Sequence, residues 1–194
     1  STTLAVSASS LTLAVSGNAR VFTVTNTGAN PAQNVGVSVS QALPVGTALT
    51  GTTCTTLAAA ASCSITVTPG ATASAAPGDL NPTPAVLAIA GSNTNTLNVD
   101  VQVIGQGSVH QGGYVFAIDD STPNSGSIGG KVAGLSDVSA AAPWSTDAAG
   151  TATAVDVPAS TSLTDGPANT NAIVAAMPLG VPFHAAGLCF GSSA

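Results

Sequence analysis

The chain has 194 residues, of which 44% are hydrophobic and only 5% are charged, with a net charge of −6. Two basic side chains are too few to displace phosphate counterions, which argues against nucleic-acid binding, and no apolar run reaches the ~20 residues of a membrane span. The abundant Val and Thr fit a pleated sheet better than a helix, so the composition predicts a mainly β protein.

So few charges leave two alternatives for the surface, because charge is what usually keeps a protein soluble and monomeric. Either the surface is neutral, rich in hydroxyl groups and well hydrated, or much of it is covered by copies of the same chain. There is no signal peptide, and the chain begins in strand-like sequence, as we expect of a mature secreted protein.

Alternating apolar residues predict a series of strands in residues 1–105. The segments that carry the alternation are Thr2–Ala8, Leu11–Ser16, Arg20–Asn26, Val35–Val39, Cys63–Thr68, Pro84–Ala90 and Asn95–Ile104. Turn sequences such as Ser16-Gly17-Asn18 and Pro77-Gly78-Asp79 separate them. About eight short strands in ~100 residues predict an immunoglobulin-like β-sandwich over residues 1–105.

The three cysteines are Cys54, Cys63 and Cys189. A disulfide between Cys54 and Cys63 is favoured over two free thiols, and it implies an oxidising compartment. A metal site is the weaker alternative, because there is no CxxC and both histidines are far from this pair in the sequence. Cys189 is left over, which indicates a missing partner, an intermolecular bond or a buried thiol.

A domain boundary is predicted near Gly105, with residues 106–194 forming a smaller, loop-rich α+β segment. Within it, Gly112–Asp120 reads as a buried strand and Ser127–Ala133 as its hairpin partner. One helix is predicted over Ala168–Met177, since Pro167 suits a first turn and Pro178 stops it. Trp144 and Tyr114 are interpreted as core anchors rather than ligand contacts.

The weak metal candidates are Asp119, Asp120 and Asn124, whose oxygens could hold Ca²⁺, the one cofactor that the residues suggest. A hydrated turn is favoured over this site, because about six oxygen ligands are needed and the loop offers fewer. His110 and His184 are candidates for nucleophilic catalysis. No Gly-x-Ser-x-Gly motif supports them, so we predict no catalytic residues and no enzymatic activity.

The N-terminal segment is the strongest candidate for an assembly element. It holds two strand-like runs where one sandwich edge needs one, so the first run, with Thr2, Leu4, Val6 and Ala8, could pair with a neighbouring subunit. Head-to-tail donation of this kind does not close and would build a fibre. The alternative, which is favoured, is a first strand that switches sheets within its own domain.

Two stretches resemble known bacterial families. Arg20–Gly28 (RVFTVTNTG), Val35–Val39 (VGVSV), Leu43–Gly46 (LPVG) and Ser62–Pro69 (SCSITVTP) resemble bacterial surface immunoglobulin-like repeats over residues 10–105. That resemblance implies a spacer or stalk module with no chemistry of its own.

The second resemblance covers residues 106–194. Val109–Asp120 (VHQGGYVFAIDD), Gly129–Ala133 (GGKVA), Asn169–Val174 (NTNAIV) and Ala185–Cys189 (AAGLC) are similar to the first half of a lectin-like module at the C-terminus of bacterial collagen-like adhesins. The resemblance implies that a ligand site built in the second half of that module is absent here, and that Cys189 has lost its partner.

Together these features predict a secreted, non-enzymatic structural subunit of an extracellular bacterial filament or surface assembly. Self-association is expected, with strand exchange through the N-terminal run. The alternative is an adhesion or glycan-binding module of a longer cell-surface protein, although the scarcity of aromatic residues weakens a sugar-binding platform.

Overall fold

The computed structural model of the chain describes residues 2–122, 126–136 and 166–175. Its strands are β1 (Leu4–Val6), β2 (Ser10–Ala14), β3 (Arg20–Asn26), β4 (Gly36–Gln41), β5 (Ala48–Thr52), β6 (Ser62–Thr68), β7 (Ala85–Ala90), β8 (Leu97–Ile104), β9 (Val109–His110), β10 (Gly113–Asp119) and β11 (Gly129–Gly134). One helix, α1 (Gly166–Ala175), completes the described elements. The predicted mainly β fold with a single helix is therefore confirmed.

Two four-stranded sheets form a sandwich, with orders β1-β3-β6-β5 and β2-β8-β7-β4. In chain order, leaving β2 aside, these are the ABED and CFG sheets of an immunoglobulin-type sandwich. The strand β2 adds to the second sheet and runs parallel to β8, while the other neighbours in both sheets are antiparallel. The two predicted N-terminal runs thus enter different sheets.

The core lies between the two sheets because alternate residues of each strand point inward. The fully buried side chains of the first sheet include Phe22, Val24, Ile65 and Val67, and those of the second sheet are Leu11, Leu13, Leu87, Ile89, Val99, Val101 and Val103. This period-two burial is the physical reason that the sequence alternation located the strands.

A third sheet has the order β11-β10-β9 and belongs to the same compact unit, Ser1–Leu135. This differs from the predicted boundary after Gly105. The reason is that the loop between β10 and β11 bonds to β2: Thr12 N–H donates to the Gly126 carbonyl at 2.9 Å, and Ile128 N–H donates to the Thr12 carbonyl at 3.1 Å. The predicted hairpin of Gly112–Asp120 with Ser127–Ala133 corresponds to the antiparallel pair β10–β11.

The second compact unit is Ser136–Ala194, and α1 is its described element. The helix overlaps the predicted Ala168–Met177 and begins two residues earlier, at Gly166. Ile173 is its buried side chain. Trp144, His184 and Cys189 lie outside the described residues.

Candidate functional site

The N-terminal candidate segment forms an edge of the first sheet. Leu4, Ala5 and Val6 pair with Asn26, Thr25 and Val24 of β3, and Leu4 is buried in the core. Thr2 and Ala8 flank the strand and are half-buried. Within the single chain, the first strand thus pairs in the first sheet and β2 in the second.

Neutral hydrogen bonds hold β1 in place beyond its three paired residues. The Leu4 N–H donates to Asn95 Oδ1 at 2.7 Å, and Asn95 Nδ2 donates back to the Leu4 carbonyl at 3.2 Å. Thr27 N–H donates to the Thr3 carbonyl at 2.8 Å, and Ser7 N–H donates to the Thr23 carbonyl at 2.9 Å. No ion pair is among these contacts. The position that β1 occupies along the free edge of β3 is termed the slot beside β3. A strand is held in this slot by main-chain hydrogen bonds and by burial of the Leu4 side chain.

The disulfide between Cys54 and Cys63 is present, with a Cα–Cα distance of 5.0 Å. It closes the connection between β5 and β6, and Cys63 is buried in the core while Cys54 packs against it. The free-thiol and metal alternatives for this pair are therefore excluded in the structure.

Asn26 fixes the same connection from the end of β3, and its side chain is fully buried. Its Nδ2 donates to the carbonyls of Asn30, Leu57 and Ala58 at 2.8, 3.0 and 3.1 Å, and its Oδ1 accepts from Gly28 N–H at 3.0 Å. The asparagine of the VTNTG stretch thus joins its own turn to the disulfide-closed segment.

The acidic residues Asp119 and Asp120 have separate structural partners. Asp119 Oδ1 accepts from Ser121 Oγ at 2.6 Å and from Ser121 N–H at 3.0 Å. These two bonds, the side-chain one first, lower the pKa of Asp119 below its ordinary value. Asp119 therefore caps the turn that follows β10, while Asn124 lies outside the described residues.

Asp120 connects the β10–β11 turn to the sandwich. Its carboxylate lies 3.4 Å from Arg20 Nη2 and accepts from the Asn18 N–H, while Arg20 Nη2 also donates to Thr122 Oγ1 at 2.9 Å. A Cβ on Gly17 would lie 2.7 Å from Ala14 Cβ and 3.0 Å from the Ala14 carbonyl oxygen, so the turn before β3 needs glycine there. In the described part of the chain, no group of three or more His, Cys, Asp or Glu residues is placed to hold a metal ion.

His110 borders a small cavity of about 80 Å³ beside β10 and β11. The cavity wall is mostly aliphatic and includes Ile104, Val115 and Ile128, with Lys131 also at its border. Burial lowers the pKa of His110. Space of this size accommodates a few water molecules rather than a substrate of ordinary size.

None of the four edge strands of the sandwich, β1, β2, β4 and β5, carries a charged residue or a proline. The strands β4 (GVSVSQ) and β5 (ALTGT) each pair on one side only, with β7 and β6 respectively. The other edge of the second sheet, β2, is partly covered by residues 126–128 through the bonds to Thr12. Sequence reasoning identified β1 but missed β4 as an open edge. The sequence carried no distinguishing signal, because the central strands β3 and β6 lack Lys and Pro just as Val35–Val39 does.

Within the described ranges, the chain contains no helix with the length and apolar character that crossing a bilayer requires. No family model matches the chain, and no curated protein matches it. Among solved structures, a partial likeness exists to the secreted serine protease VesC from Vibrio cholerae, with 20% identity and a TM-score of 0.32. The matched region is 48% of this chain and 21% of that protein.

Proposed function

We propose that this chain is a non-enzymatic structural subunit of an extracellular bacterial filament or surface assembly, in which β1 is exchanged between subunits. The observation that carries the proposal is the slot beside β3. Leu4 is buried there, yet the strand that carries it is an edge strand of only three residues. A strand that leaves one such slot fits the identical slot of a neighbour with the same bonds.

The energetic argument for exchange is one of balance. Each subunit loses the Leu4 burial and the Asn95 bonds when β1 leaves, and regains both when a neighbour's β1 enters. Exchange therefore costs little in contacts, and a high local concentration drives it. A donor that fills the next copy in one direction propagates as a fibre.

The extracellular and non-enzymatic parts of the proposal have separate support. The Cys54–Cys63 disulfide fits an oxidising compartment. Asp119 caps its own turn, and Asp120 connects the β10–β11 turn to Arg20 of the sandwich. His110 faces a cavity of only about 80 Å³. The bacterial surface repeat resemblance of residues 10–105 agrees with a spacer role.

Cysteine trapping tests the exchange directly. Ala5→Cys and Thr25→Cys, combined in a Cys189→Ser background, place two thiols directly opposite each other across β1 and β3. After mild oxidation of assembled material, we expect a ladder of covalent multimers on a non-reducing gel. The matched control is Ala48→Cys with Thr68→Cys, opposite residues of β5 and β6, which should link within one chain.

Only intramolecular links for the β1 pair in assembled material would show that β1 stays in its own subunit. A chain that remains monomeric at high micromolar concentration would overturn the assembly proposal as a whole. In that case binding on a glycan array would support the alternative, an adhesion module of a longer surface protein.

A further inference from the structure

We infer that the outer edge of β4 is a second assembly contact, at which two copies of this chain pair their β4 strands across a two-fold axis. The inference rests on the proposed function in that both require self-association, but it uses a different strand and a different geometry. The starting observation is Val39. Among the described residues of the eight sandwich strands, it is the one large hydrophobic side chain left exposed, at 44%.

Val39 is exposed although it faces the inside of the sandwich. It stands opposite Leu87, which is fully buried, and its neighbour on the same face, Val37, packs against the core. The side chain is uncovered because β4 is the last strand of its sheet. An added strand at this edge would cover Val39. The exposed area of Val39 is therefore the area that a neighbouring strand would bury.

The edge is chemically suited to another copy of itself. Neither β4 nor the adjacent β7 contains a charged residue or a proline, and every second residue of an edge strand turns its N–H and C=O away from the sheet. A neutral edge gives no attraction to a charged partner and no repulsion to an identical one. The other neutral edge strands, β1, β2 and β5, lack an exposed apolar side chain of this kind, because Leu4, Leu11 and Leu13 are buried and Leu49 packs against the core.

The alternation of side chains selects the register. In antiparallel pairing, opposite residues point to the same face, so a two-fold axis perpendicular to the sheet pairs residues whose numbers have the same parity. An axis at Ser38 places Val37 of each copy opposite Val39 of the other and covers both valines. The register shift between Val39 and Gln41 bends the strand beyond that point and limits the pairing to its first half.

The side chains on the outer face of this edge are small, and a Cβ at Gly36 would meet nothing within 4 Å. Small side chains on both copies let the main chains approach to the usual spacing of ~4.8 Å between strands. The contact is isologous, so it closes after two copies instead of propagating.

A cysteine at the axis tests the register. In the Cys189→Ser background, Ser38→Cys places the two thiols of a β4–β4 pair opposite each other, within the Cα separation of ~4.4–6.8 Å that a disulfide accepts. Ser40→Cys is the matched control, because two residues from the axis on each side separates its two copies by ~13 Å along the strand. We expect a covalent dimer from Ser38→Cys and none from Ser40→Cys. Equal yields from both variants would overturn the register.

A charge at the edge tests the contact without any crosslink. Sedimentation velocity should show that Val39→Lys raises the dissociation constant of the pair by about tenfold or more. Ala48→Lys adds the same charge to the exposed edge strand β5 and should leave the dissociation constant of the pair unchanged. If the wild type associates and both variants associate equally well, the β4 contact is wrong while the proposed function stands. If the wild type does not associate at all, both are wrong.

Discussion

Two polar residues bracket the buried face of β3 and connect the sandwich to its loops. Arg20 and Asn26 lie on the same inward face as Phe22 and Val24, and all four are buried. At one end Arg20 reaches Asp120 and Thr122, and at the other Asn26 reaches the disulfide-closed segment. Buried polar groups of this kind are costly without partners, so these residues fix the positions of the loops they bind.

Replacing Asn26 with Ala is expected to lower the free energy of unfolding by about 2–4 kcal/mol, because its side-chain amide bonds are lost and a buried cavity is left. Asn98→Ala, at an exposed position of β8, should change it by no more than about 0.5 kcal/mol. Urea denaturation followed by circular dichroism measures both values. Equal effects of the two variants would contradict the role assigned to Asn26.

The pKa of Asp119 provides a pH prediction at the same scale. Its carboxylate is stabilised by two bonds from Ser121, so this contribution to stability is present at neutral pH and is lost as the pH falls through the lowered pKa. Ser121→Ala removes the hydroxyl bond and keeps the backbone bond. We expect the pKa of Asp119 to move up, towards its ordinary value, in a carboxyl-carbon NMR titration; an unchanged pKa would refute the assignment.

At the scale of elements, the connection between β5 and β6 depends on one covalent link. The Cys54–Cys63 disulfide has a sequence separation of 9, and closing a loop of this length restricts the unfolded chain. The loop also holds the carbonyls that Asn26 binds, so the disulfide and the asparagine stabilise the same segment from two sides.

Replacing both Cys54 and Cys63 with Ser should lower the free energy of unfolding by about 2–3 kcal/mol, from the loop-closure entropy of the unfolded state. Denaturant unfolding of the wild type with and without reductant should give a difference of the same size. Combining this double variant with Asn26→Ala should cost less than the sum, because both act on one segment. Full additivity would show that the two are independent.

The strands could be predicted where the alternation of apolar and polar residues is strong, and they were missed where it is weak. The strands β6 (Ser62–Thr68) and β7 (Ala85–Ala90) agree with the predicted segments Cys63–Thr68 and Pro84–Ala90 to within a residue, whereas β5 (Ala48–Thr52) was not predicted as a strand. Its sequence, ALTGT, has one large apolar residue and a glycine, so it carries no period-two signal. The number and spacing of the strands predicted a β-sandwich, and the flanking prolines predicted the helix, but the order of the strands within the sheets was not predicted.

The contacts between distant loops could not be predicted in the same way. Arg20 and Asp120 are 100 residues apart, and alternation places a residue on a face without saying which loop passes above it. The sequence carried a partial signal. Arg20 is an even number of residues from Phe22 and Val24, so it lies on the same buried face of the strand and needs a partner there. The same limit explains why the first compact unit extends to Leu135, beyond the predicted boundary at residue 105. The bonds from Thr12 to Gly126 and Ile128 join segments that are remote in sequence.

For the whole molecule, the dominant property is the scarcity of charge, and it has a consequence for resistance to proteases. Trypsin-like proteases cut after Lys and Arg, and the chain has only Arg20 and Lys131. Arg20 is buried at the start of a central strand, whereas Lys131 is exposed in the edge strand β11. The folded chain therefore offers these enzymes one accessible bond, between Lys131 and Val132.

Limited trypsin digestion should yield two fragments, residues 1–131 and 132–194, with no cleavage after Arg20 until the sandwich unfolds. Mass spectrometry of the fragments over time checks this order. Lys131→Gln should make the native chain resistant, while urea should expose the bond after Arg20. Early cleavage after Arg20 under native conditions would contradict the burial of that residue.

The parallel pairing of β2 with β8 determines how the sandwich would respond to mechanical tension. Ser10–Ala14 runs alongside Asp100–Ile104, and the ladder continues with Val15 N–H donating to the Ile104 carbonyl at 2.9 Å. If the start of β2 is pulled towards the N-terminus and the end of β8 towards the C-terminus, the two parallel strands slide past each other along their length. The hydrogen bonds between them then share the load and must break together, instead of opening one after another like a zipper. Where force acts between the start of β2 and the end of β8, this pair of strands would bear the load.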